Sequence, residues 1–88
     1  MMVNTVKELI YLSNVKENAT KIAEKIGYEV INCRIKNFKK KIFVVQGYNP
    51  TNFDNKNAIW YYNSTNNSLY DGRFMSDCRK ADREFDKM

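Results

Sequence analysis

At Gly27 the spacing of apolar residues changes. Before it, Val6, Leu9, Leu12, Val15, Ala19, Ile22, Ala23 and Ile26 recur at intervals of mostly three and four. After it, Ile31, Cys33 and Ile35 alternate with Asn32, Arg34 and Lys36. The first spacing lines one stripe of a helix and the second lines one face of a strand. The chain must therefore combine helix with sheet. Its 88 residues, 1–88, make a single compact domain, because so short a chain buries too little surface to supply two cores.

The helix is expected over 5–26. Thr5 and Glu8 have the spacing of a capping box, and Gly27 can enter the left-handed conformation that ends a helix. Ser13 and Asn14 ahead of Glu17 offer a second start, so two short helices with a kink are the alternative. One continuous helix is expected, since the apolar stripe passes through the Ser-Asn pair.

A strand over 28–36 follows, then a turn at 37–40 and a second strand over 41–46. In the second, Ile42, Phe43, Val44 and Val45 are apolar without alternation, the pattern of a central strand. The segment 47–57 holds the only proline, a glycine and several asparagines, and reads as a long loop. A strand over 58–63, rich in aromatics, a turn at 64–67 and a short edge strand at 68–70 complete the sheet.

From Arg73 to Met88, Phe74, Cys78, Ala81, Phe85 and Met88 step by four and three, which predicts an amphipathic helix capped by Asp71. The fold class is α+β: an N-terminal helix, an antiparallel meander of three or four strands and a C-terminal helix. Both helices are expected on one sheet face, with the other face wet.

Catalysis near neutral pH needs a group that exchanges protons there, and the chain has no histidine. Cys33 and Cys78 then lack the base that would activate a thiolate, and their separation suits neither a zinc site nor a disulfide framework. Glycines 27, 47 and 72 stand alone, so no Gly-rich phosphate loop exists. The acids of the last segment alternate with Arg79, Lys80, Arg83 and Lys87, as on a solvated face. No enzyme activity, cofactor or metal is expected.

What remains is binding. The net charge is +5, and Arg34, Lys36, Lys39, Lys40 and Lys41 fall within one predicted hairpin without an acid among them. Tyr48 and Phe53 lie on the long loop, Trp60 and Tyr62 on the next strand. Exposed cations and aromatics on a sheet can hold single-stranded nucleic acid, the cations on phosphates and the rings on bases. The same residue types populate protein interfaces.

The expected function is stoichiometric binding to a protein that itself handles nucleic acid. The model for it is a phage or mobile-element inhibitor of anti-defence, anti-CRISPR-like type; direct binding of single-stranded DNA or RNA is the alternative. Heavy use of Asn, Lys, Ile and Tyr suggests an AT-rich coding sequence, as in low-GC bacteria and their phages. No long apolar run or cleavable leader is seen, which suggests the cytoplasm. The sequons at Asn18, Asn63 and Asn66 are expected by chance among twelve asparagines.

Overall fold

A computed structural model describes residues 6–88. The elements run α1 (Val6–Lys25), β1 (Glu29–Asn37), β2 (Ile42–Tyr48), β3 (Asn57–Asn63), β4 (Ser68–Met75) and α2 (Cys78–Lys87). The four strands form one antiparallel sheet in the order β1-β2-β3-β4.

Helix α1 passes through Ser13 and Asn14 without interruption. It ends in a Schellman motif: the Tyr28 N–H donates to the Ala23 carbonyl (3.0 Å) and the Gly27 N–H to that of Glu24 (3.1 Å), with Gly27 at φ 90°. The cap expected from Thr5 lies outside the described residues.

The two helices cover opposite faces of the sheet, not one face as expected. On one side Phe43 and Val45 of β2 pack with Ala58, Trp60 and Tyr62 of β3 beneath Val15, Ala19 and Ala23 of α1. On the other side Val44 and Ile59 pack with Ala81, Phe85 and Met88 at α2. The reason lies in β2 itself, whose consecutive apolar side chains point alternately to the two faces and need cover on both.

Strand β1 departs from simple alternation. Val30 pairs with Gly47 and Asn32 with Gln46, so Ile31 is the extra residue of a bulge and its side chain is exposed, not in the core as expected. Val30 takes its place in the core. A second irregularity between Ile35 and Asn37 leaves Lys36 as the extra residue at the far end of the strand.

The loop after β2 is shorter than expected, because Gly47 and Tyr48 extend β2 and Asn57 begins β3. Strand β4 is longer. Arg73, Phe74 and Met75 pair with Ile59, Ala58 and Asn57, so α2 begins five residues later than expected. Its N-cap is Asp77, whose carboxylate accepts from the N–H groups of Arg79 and Lys80. Phe74 and Cys78, expected on the apolar stripe of the helix, are both exposed.

Only part of the expected α1 stripe is buried. Three residues turn a helix by about 300°, so three such steps from Val6 to Val15 carry the side chain to the opposite side. Val15 is buried, whereas Val6 is 73% exposed and Leu9 and Ile10 are exposed as well. Tyr11 already lies at the end of the sheet, stacked on Phe43 and edge-on to Phe38. Residues 6–10 lie up to about 7.5 Å further along the helix axis, and the exposure of all but Glu8 marks them as overhanging the strands.

Candidate binding surface

The five cations expected on one hairpin do not form one patch. Arg34 pairs with Val44 and shares its sheet face, which is the face α2 covers. Its guanidinium lies over the Phe85 ring, 5.3 Å from the centroid, and Nη2 donates to the carbonyls of Phe85 (2.7 Å) and Asp86 (3.3 Å). Carbonyls at a helix C-terminus lack intrahelical donors, and Arg34 supplies them. It is a structural cation.

Lys41 is also engaged. It sits at φ 59° in the turn, and its ammonium lies 3.7 Å from the Phe38 ring centroid and 4.8 Å from that of Tyr11. The Lys41 N–H donates to the Phe38 carbonyl, and the Lys40 N–H to Asn37 Oδ1. This ordered turn presents Lys39 and Lys40 to solvent, and Lys36 is exposed nearby at the strand end.

The four aromatics divide as well. Trp60 and Tyr62 are buried on the α1 side of the sheet and take no part in an accessible surface. Trp60 meets Tyr28 and Phe74 edge-on, and the Tyr62 hydroxyl donates to Asn67 Oδ1. Tyr48 is half-buried, and Phe53 is 79% exposed.

Phe53 projects from a loop, 49–56, that asparagines hold in shape. Asn49 Oδ1 accepts from the Thr51 N–H and hydroxyl, Asn52 Oδ1 accepts from the Asn55 N–H, and the Tyr28 hydroxyl donates to the Asn55 carbonyl. This loop and the lysine turn lie at opposite ends of β2. A strand of that length spans about 20 Å, so the two expected sites are separate surfaces.

Beside the lysine turn lies a surface that sequence reasoning missed. Val6, Lys7, Ile10, Tyr11 and Asn14 line a shallow depression of about 380 Å³ on the overhanging part of α1. Tyr11 belongs both to this depression and to the aromatic contact with Phe38 in the turn. The available signal was Ile10, an apolar residue four after Val6 and out of phase with the buried stripe.

The two thiols stand in different settings. Burial pushes the Cys33 thiol up to about 11, against the opposing pull of Lys16, so it stays protonated at neutral pH. Cys78 is exposed, and its sulfur accepts from Asn57 Nδ2 at 3.5 Å. Two of the three acids of α2 have structural partners: Asp82 accepts from Gln46 (3.0 Å), and Glu84 binds Arg73 (2.7 Å). Among the described residues no three His, Cys, Asp or Glu side chains converge to hold a metal ion, and no helix is long and apolar enough to cross a membrane.

The chain matches no family model, curated protein or solved structure. Its chemistry lies in its own residues: two exposed lysines on a hydrogen-bonded turn, an apolar depression alongside, and one exposed aromatic on a distant loop.

Proposed function

We propose that this chain is a non-enzymatic binding protein that acts stoichiometrically in the cytoplasm on a protein that itself handles nucleic acid. Its role would resemble that of inhibitors which phages and mobile elements direct against defence systems. The observation that carries the reading is the burial of Trp60 and Tyr62. Single-stranded nucleic acid is held by bases stacked on exposed rings, and these two rings are covered by α1. The surface left to a partner pairs exposed cations with exposed apolar side chains, as protein interfaces do. A basic turn of this kind fits carboxylate-rich surfaces, such as the metal-binding sites of nucleases.

Direct contact with nucleic acid is the second reading, favoured by the exposure of Lys36, Lys39 and Lys40. Such binding would rest on phosphates and weaken steeply with salt. Fluorescence anisotropy of labelled single-stranded and duplex oligonucleotides, titrated at about 50 and 200 mM salt, separates the two readings. The protein-binding reading expects no association at the lower salt. Micromolar binding that collapses at the higher salt, and is lost in Lys39→Glu/Lys40→Glu, would replace it with the nucleic-acid reading.

A further inference from the structure

The overhang of α1 and the lysine turn meet at Tyr11. Its ring centroid is 5.4 Å from that of Phe38, the residue preceding Lys39 and Lys40, and 4.8 Å from the Lys41 ammonium. On its other side Tyr11 lines the depression with Val6, Lys7 and Ile10. Val6 and Ile10 are 73% and 60% exposed, although both have β-branched apolar side chains that a solvent-facing helix turn has no folding reason to carry. An apolar strip is thus flanked by cations, Lys7 on one side and Lys39 and Lys40 beyond Tyr11. The acid in this stretch, Glu8, is in line with Leu12 and Val15 on the sheet-facing side of α1.

From this juxtaposition we infer that the Val6, Ile10 and Tyr11 strip with Lys7, Lys39 and Lys40 docks an acidic amphipathic helix of a protein partner. This deepens the protein-binding reading and rests on it. Charge selects the occupant. A second copy of this chain, which carries a net charge of +5, would set the cations around its own strip, Lys7, Lys39 and Lys40, against those around this one. A nucleic acid would satisfy the lysines but leave Val6 and Ile10 without apolar contact, and the Tyr11 face is already stacked on Phe43. A helix with leucines on one side and glutamates flanking them satisfies both the strip and the cations, in the helix-in-groove mode.

The test uses the full chain and a fluorescein-labelled synthetic helix with Leu at i, i+3, i+4 and i+7 and Glu at most other positions, beside a scrambled peptide of the same composition. Anisotropy should show saturable binding of the ordered peptide and binding about tenfold or more weaker for the scrambled one. Ile10→Ser and Lys39→Glu/Lys40→Glu should each weaken the ordered peptide by about tenfold or more, with far-UV circular dichroism unchanged. Both variants change exposed side chains, so folding is not at issue.

Equal binding of the two peptides, or binding indifferent to these variants, would overturn the inference. Self-association that Ile10→Ser abolishes would assign the strip to a second copy and overturn it too. If neither the peptides nor the oligonucleotides bind, this surface assignment fails while the protein-binding reading stands. If the oligonucleotides bind and Lys39→Glu/Lys40→Glu removes that binding, both fail.

Discussion

A β-carbon on Gly72 would lie 2.8 Å from both Cδ1 and Nε1 of Trp60. The indole reaches across the sheet, since a β-carbon on Gly47 would lie 2.9 Å from its Cζ3. Ile59 pairs with Arg73 and Tyr61 with Tyr70, which leaves Asp71 and Gly72 together opposite Trp60 alone. The bulge turns Asp71 to φ 53° and lays the Gly72 backbone against the ring. Two glycines, one on each neighbouring strand, thus make room for the one tryptophan.

Gly72→Ala should therefore destabilise the fold by about 1–3 kcal/mol, the usual cost of forcing extra volume into a packed site. Trp60 cannot retreat from β4 without pressing on Gly47 and Tyr28. The urea midpoint should fall, and the tryptophan emission of the native state should shift as the ring is displaced. An unchanged midpoint and spectrum would show that the ring has more freedom than these distances allow.

Arg34→Ala should loosen α2 specifically. The substitution removes two hydrogen bonds to its terminal carbonyls and the cation over Phe85. Hydrogen bonds to a charged donor contribute about 1.5–3 kcal/mol, so a loss of that order is expected. Arg34→Lys should recover only part of it, because a compact ammonium that reaches these carbonyls cannot also lie as a planar cation over the Phe85 ring. Hydrogen exchange should quicken in α2 and leave α1 unchanged, and uniform quickening would refute the local role.

How far the sequence foretold this arrangement depends on the range of the interactions. The helix-ending role of Gly27 and the central position of β2 follow from neighbouring residues, and both are as expected. The apolar run in β2 also carried the information that both faces need cover, although the expectation placed both helices on one face. The bulge at Ile31 was not legible, because it exists only in the register against Gln46 and Gly47. Phe74 fell at helical spacing by coincidence, and its pairing with Ala58 overrides that spacing. Arg34 was correctly set opposite the core face of β1, but that side is where α2 ends. The exposed strip at Val6 and Ile10 was hidden by counting steps of three as though they stayed on one face.

Cys33 predicts a loss of stability at high pH. Burial raises its pKa from 9.0 to about 11, so the folded state holds the proton more tightly than the unfolded chain. The stabilisation that rests on the neutral thiol is whole below pH 9 and is lost as pH rises towards 11. Tyr28 and Tyr62, also raised by burial, act in the same direction. The stability difference between the parent and Cys33→Ala should therefore shrink across that window. Denaturation curves that stay equally spaced as pH rises would exclude a titrating Cys33.

Asp77 predicts the opposite dependence at the acid end. Hydrogen bonds from the backbone N–H groups of Lys80 and Arg79 hold its carboxyl below the ordinary carboxylate range. A depressed folded pKa means that the stabilisation is present above the unfolded value of 3.8 and is lost as pH falls through the folded one. Glu84, lowered by Arg73, titrates in the same sense, so the wild-type curve contains both. Asp77→Asn separates them. Its amide oxygen can still accept from the first turn of α2 at neutral pH, and it carries no proton to gain in acid. Its melting temperature should stay near that of the parent at neutral pH and fall less steeply on acidification, while Asp77→Ala should be less stable at neutral pH as well. Matching acid slopes for the parent and Asp77→Asn would place the acid sensitivity at Glu84 instead and reduce Asp77 to a cap whose charge is incidental.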